Sequence, residues 1–154
     1  MEGNKISDCI SAIHRVSEVA DIELPYFDIA VAAGLPLELD GSSHAERNNL
    51  LQMLVPHPES SYLIGVKGDS MIDAGIYSGD VVVIDRSLRN PNENEIALCE
   101  HNGEYTIKYV RCHDGKTWLV PDNIDFPERE IKEGDTFNVW GVVVLVIHKA
   151  TRRR

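Results

Sequence analysis

The chain has 154 residues, 43% of them hydrophobic and 26% charged, with a formal net charge of -10. That length suits one domain with a buried core and an arm. The acidic balance argues against a direct grip on phosphate backbones. The basic cluster at the end, Lys149 with Arg152, Arg153 and Arg154, reads as a solvated terminus.

Ile6, Cys9, Ile10, Ile13, Val16 and Ala20 recur at helical spacing, which predicts an amphipathic helix over residues 4–20. Pro25 ends it, and an apolar extended stretch from Leu24 to Val31 follows. Six acids and two bases in the first 33 residues exclude a helix-turn-helix DNA reader there. Val31-Ala32-Ala33-Gly34 then offers small side chains and an accessible backbone. Ser43-His44-Ala45-Glu46 is a capping box and predicts a helix to about Leu54, with Leu50, Leu51 and Leu54 inward and Pro56 as its stop.

From Ser61 onward the pattern is β. Runs at Tyr62–Val66, Val81–Asp85, Glu95–Glu100, Tyr105–Cys112, Thr117–Val120 and Asn138–Lys149 predict strands. Turns separate them at Ser78-Gly79-Asp80, Arg89-Asn90-Pro91, Asn102-Gly103, Asp114-Gly115 and Glu133-Gly134-Asp135, with Asn102-Gly103 the strongest hairpin signal. The expected fold is mainly β, a small curved antiparallel domain over residues 61–154. A linker with a short helix (34–60) and an N-terminal arm (1–33) precede it. The longest apolar run, Trp140 to Ile147, is strand-sized, so no membrane span is expected. Cys9, Cys99 and Cys112 lack CxxC spacing, and residues 1–20 carry no secretory h-region. Free thiols in the cytoplasm are expected.

Chemistry centres on Gly68-Asp69-Ser70-Met71. A strand runs in, Gly68-Asp69 turns, and Ser70-Met71-Ile72 begins a helical turn, with Asp69 as a cap. A serine there is exposed beside backbone N–H groups that can hold a developing oxyanion. Lys108, on the strand from Tyr105 to Cys112, shares a face with Thr106 and Val110. An edge lysine usually discourages strand pairing. A buried one has its pKa lowered by desolvation and can take a proton from a serine. The rival base is one of the scattered histidines, His14, His44, His57, His101, His113 and His148. His101 and His113 adjoin turns, where solvated side chains are expected. No metal spacing, phosphate loop or dinucleotide fingerprint is present, so no metal or cofactor is expected.

Taken with Ala33-Gly34, these motifs resemble the LexA/UmuD family of self-cleaving serine-lysine peptidases (S24-type), and within it the UmuD-like members. The resemblance runs from about Leu24 to Lys149. It includes Leu51 through His57-Pro58, Gly68 to Asp73, Gly79-Asp80, Gly103-Glu104, Thr106 to Lys108 and Gly141-Val142-Val143. It implies Ser70 as nucleophile, Lys108 as general base, and cleavage between Ala33 and Gly34. The Ser70 and Met71 amides would form the oxyanion site. The Ser70-to-Lys108 interval and the arm are both longer than the family's usual. The resemblance further implies a homodimer, activation by a RecA–single-stranded DNA filament, and a shortened form serving a UmuC-type translesion DNA polymerase in SOS mutagenesis. A signal-peptidase-like enzyme acting on other chains, or a non-catalytic module of the same fold, are the alternatives.

Overall fold

The computed structural model describes residues 10–15, 23–26 and 46–150. The first elements are β1 (Ile10–Arg15), β2 (Glu23–Tyr26), β3 (Glu46–Asn49) and a short helix α1 (Leu50–Leu54). Strands β4 (Ser61–Val66), β5 (Val81–Asp85), β6 (Ile96–His101) and β7 (Glu104–His113) follow. The chain continues through β8 (Lys116–Val120), β9 (Arg129–Ile131) and β10 (Phe137–Ile147). Eight strands make one sheet in the order β1-β4-β5-β10-β6-β7-β8-β9, while β2 and β3 pair with each other. All these pairings are antiparallel.

The turns follow from their residues. Asn102 and Gly103 both take positive φ (50° and 84°), as do Asp114 and Gly115 (53° and 71°). Two-residue hairpins with φ positive at both positions match the right-handed strand twist. They set the β6–β7 and β7–β8 registers, closed by the pairs His101–Glu104 and His113–Lys116.

The sheet buries both faces in its middle. Ile64, Val82, Ile84, Leu98, Tyr105 and Ile107 pack on one face with Met71 and Ile76 from the loop between β4 and β5. Ala97, Cys99 and Leu119 pack on the other, with Val110, Ile131, Phe137 and Val139 against them. Alternation along β6 therefore gives apolar side chains to both clusters, as in a strand covered on both sides.

At the centre, β10 carries a register shift between Val139 and Gly141. A Cβ on Gly141 would lie 2.5 Å from the Asp85 carbonyl oxygen and 2.7 Å from Ile84 Cγ2. Only glycine lets β10 approach β5 this closely. Gly141→Ala should lower stability by about 2 kcal/mol, since the clash is with backbone that cannot yield. A urea midpoint equal to that of the wild type would refute it.

Three expectations are corrected. Ile10–Arg15, read as helix, is a strand on the β4 edge, with Ile10 opposite Val66 and Arg15 opposite Tyr62. The capping-box helix is shorter than its signal. Glu46–Asn49 is extended and pairs with Glu23–Tyr26, so helix begins only at Leu50 and ends at Leu54, before Pro56. Leu54 is 40% exposed, and Val55 is the buried residue instead. Ser43 itself, and the Ala33-Gly34 bond, lie outside the described residues. β9 had no sequence signal. The six predicted β runs all form strands.

Candidate active site

Ser70 is placed by what surrounds it. β4 ends at Val66, and Gly68 turns the chain at φ +96°, a conformation that side chains disfavour. The Gly68 amide donates to Ser78 Oγ at 3.2 Å. Met71 is 3% exposed and drives into the core, leaving Ser70 at the mouth of a shallow cleft. Val66, Gly68, Met71, Ile76 and Ile107 line that cleft around the serine. A 3₁₀ turn, Ile72–Ala74, follows. Asp69 holds it through its carbonyl, which accepts from the Ile72 amide at 3.2 Å, and not by the expected side-chain cap.

Lys108 comes from the other half of the sheet. On β7 it stands opposite Ala97 of β6. Its Nζ donates to Ser70 Oγ at 2.8 Å, to Thr106 Oγ1 at 2.8 Å and to the Ile107 carbonyl at 3.0 Å. Two residues 38 positions apart thus meet within one hydrogen bond. The edge-lysine alternative fails for a topological reason: β7 lies between β6 and β8. An amine in contact with a serine hydroxyl can relay its proton when neutral.

The amides of Ser70 and Met71 have no acceptor among the described residues, so both are available to a bound carbonyl. Around them runs a frame with no chemical signature in the sequence. The Asp122 amide donates to the Ser70 carbonyl at 2.9 Å, and the Asp73 amide to the Asp122 carbonyl at 2.9 Å. Asn123 Nδ2 donates to the Asp69 carbonyl at 2.9 Å. Tyr109, next to Lys108, donates its hydroxyl to Asp122 Oδ2 at 3.2 Å. Burial, then the Asp122 charge, push the Tyr109 hydroxyl pKa up, keeping it protonated as the donor. In sequence, Pro121-Asp122-Asn123 reads only as loop.

Four of the six histidines are engaged elsewhere; the side chains of His14 and His44 lie outside the described residues. His57 Nδ1 lies 2.7 Å from Asp85, His101 Nε2 2.9 Å from Asp135, and His148 Nδ1 2.6 Å from Asp80. His101 is buried rather than solvated; a carboxylate 34 residues away in sequence receives it. His113 is exposed and stacks on Trp118. None of these four bonds Ser70 among the described hydrogen bonds. Burial would raise the Asp80 pKa, but the Tyr77 amide and His148 bond its carboxylate and leave it lowered. That carboxylate anchors the turn from which Ser78 reaches Gly68. The Cys99 thiol is pushed up to about 12 by burial, which makes it inert. Cys99 and Cys112 are both free. Among the described residues no cluster could hold a metal ion, and no helix is long and apolar enough to cross a membrane.

Comparison with known families places this geometry. A model described as Peptidase S24-like matches residues 25–144, most of the chain and all of the Ser70–Lys108 region. The chain belongs to the Peptidase S24-like family. This S24-like chain is 36% identical over 121 residues to Protein MucA of Salmonella typhimurium and of Escherichia coli, covering 78% of it and 81% of MucA. It is 32% identical over 112 residues to the LexA repressor of Stenotrophomonas maltophilia, covering 73% of it but only 52% of that repressor.

Proposed function

We propose that this S24-like chain is a self-cleaving serine peptidase of the bacterial DNA-damage response. Its Ser70–Lys108 pair would hydrolyse its own Ala33–Gly34 bond. The observation that carries the reading is the 2.8 Å contact between Lys108 Nζ and Ser70 Oγ. Neutral Lys108 takes the hydroxyl proton as Ser70 Oγ bonds to the Ala33 carbonyl carbon. The Ser70 and Met71 amides hold the resulting oxyanion. The carbon–nitrogen bond then breaks, and the lysine ammonium gives its proton to the Gly34 amine. Water releases the ester, again losing a proton to Lys108.

Small residues on both sides of the bond suit the shallow cleft at Ser70. Gly34 and Ser70 are 36 positions apart in sequence, and a segment of that length spans up to about 120 Å when extended, so reach is no barrier. Tethering replaces a binding step with an effective concentration. Likeness to MucA across most of both chains supports a UmuD-like role in SOS mutagenesis and DNA repair. In that role a RecA–single-stranded DNA filament stabilises the cleavable state. The processed cytoplasmic homodimer serves a UmuC-type polymerase in translesion synthesis.

Mass spectrometry of the purified protein, with and without activated RecA filaments, tests this. The expected result is one new pair of fragments, cut between Ala33 and Gly34, with Gly34→Glu uncut because a charged side chain obstructs the serine's approach. An intact wild type, a cut elsewhere, or normal processing of Gly34→Glu would overturn the assignment of the bond.

A further inference from the structure

The loop after β8 controls the direction of the two amides beside Ser70. In a trans peptide the carbonyl and the N–H point to opposite sides of the same plane, and the described chain has no cis bond. The Ser70 N–H shares its plane with the Asp69 carbonyl, which Asn123 Nδ2 holds at 2.9 Å. The Met71 N–H shares its plane with the Ser70 carbonyl, which the Asp122 amide holds at 2.9 Å. Two consecutive loop residues therefore tie the back of both planes and aim both N–H groups the other way.

Asn123 is suited to this by its own fixing. Its Oδ1 accepts from the Asp125 amide at 3.0 Å, which leaves the NH₂ end, and only that end, toward Asp69. The backbone links, from the Asp122 amide to the Ser70 carbonyl and from the Ile72 amide to the Asp69 carbonyl at 3.2 Å, survive any side-chain change; the second and shorter hold on Asp69, from Asn123, is made by a side chain alone. We propose that Asn123 is a positioning residue for self-cleavage: it orients the Ser70 amide as an oxyanion donor without touching the substrate. This rests on the Ser70–Lys108 reading above.

A purely structural role for Asn123 would lie in the turn it makes with Asp125. Aspartate makes that turn equally well, because it too accepts from the Asp125 amide. It cannot donate to the Asp69 carbonyl, and its second oxygen would repel it. The two roles therefore order the variants differently.

The test is the rate of self-cleavage of the full chain against pH, without filament, for wild type, Asn123→Ala and Asn123→Asp, with urea midpoints for each. Ser70→Ala is the control. Positioning predicts a plateau rate about tenfold lower in Asn123→Ala and about 100-fold lower in Asn123→Asp, on the scale of a misdirected oxyanion donor. In Asn123→Ala the pH of half-maximal rate should stay where it is in the wild type, since Lys108 is untouched and no charge is added near it. Asn123→Asp cleaving like the wild type while Asn123→Ala is slow would show the turn, not the amide, to matter and would overturn the proposal. So would a wild-type rate in both variants, or a shifted half-maximal pH in Asn123→Ala. Should Asn123→Asp be unfolded, Asn123→Ser takes its place, because its hydroxyl still makes the turn with Asp125 but is one atom too short for the Asp69 carbonyl, and a wild-type rate in it would overturn the proposal. Cleavage persisting in Ser70→Ala would instead bring down the serine-lysine reading, which separates the two failures.

Discussion

Ser70→Ala should abolish self-cleavage at every pH, and Lys108→Ala should lower it by about 10³-fold or more, the scale set by losing one member of a nucleophile–base pair. The wild-type rate without filament should be slow at neutral pH and climb as the solution becomes alkaline. A lysine amine must shed its proton before it can accept one, and a free lysine is almost wholly protonated at neutrality, with a pKa near ~10.4. Neither variant should unfold the domain. Ser70 lines a shallow cleft, and shortening Lys108 leaves the backbone pairing of β7 with β6 and β8 intact at the cost of a small cavity. Rate against pH for the three proteins, with circular dichroism at each point, gives the answer. A wild-type rate that is flat or falls toward alkaline pH, or full activity in Lys108→Ala, would return a histidine base to first place.

The largest effect on stability should come from Asp85→Ala. Asp85 ends β5 and is 2% exposed. Its carboxylate accepts from Ser60 Oγ at 2.8 Å, from the Ser87 amide at 2.9 Å and from the Ser87 hydroxyl at 2.6 Å, with His57 Nδ1 at 2.7 Å. One side chain thus joins the turn before β4 to the turn after β5. Removing it strands those partners, at a cost on the order of 3 kcal/mol. Burial would raise its pKa, but the bonds from Ser87, His57 and Ser60 outweigh burial and bring it down to about 2 from an ordinary 3.8. A pKa lowered in the folded state contributes stability that is fully present above the unfolded value and is lost as pH falls through the folded one. Wild-type stability should therefore decline between about pH 4 and pH 2. Asp135, held near 2 by His101 and by the Lys132 amide, loses its share in the same window. Asp85→Ala should be weaker at neutral pH and show a shallower acid decline. Urea midpoints at pH 7 and pH 3 measure both, and equal midpoints at pH 7 would refute the role given to Asp85.

Much of the β domain was legible because its signals are local. Asn102-Gly103 and Asp114-Gly115 specify their own turns, and β-rich runs between turns specify strands. The N-terminal part was less legible because pairing there overrides local preference. The apolar spacing through Ile10 and Ile13 suits a helix, yet β4 offers an open edge and takes Ile10–Arg15 as a strand, with the register shifting between those two isoleucines. At Glu46–Asn49 a capping signal loses to a partner strand about twenty residues upstream. β9, three residues long and mostly polar, has no period to detect. In the site, Ser70 stands out by its turn motif, and its pairing with Lys108 by the resemblance to a known family. Asn123 could not, because its value lies in which carbonyl it meets 54 positions away. His101 was misread for the same reason, its acid partner being remote.

The order of the sheet also sets when chemistry can begin. Ser70 belongs to the half built on β4 and β5, and Lys108 to the half built on β6 and β7. β5 and β6 are not neighbours; β10, the last of the described strands in chain order, lies between them and pairs with both. A nascent chain still lacking residues 137–147 carries Ser70 and Lys108 but no strand between the halves that hold them. On the proposed reading, the bond at Ala33–Gly34 would leave the ribosome well before β10 is there to hold the two halves together. β10 would then act as a timer, its pairing with both halves coming before any self-cleavage.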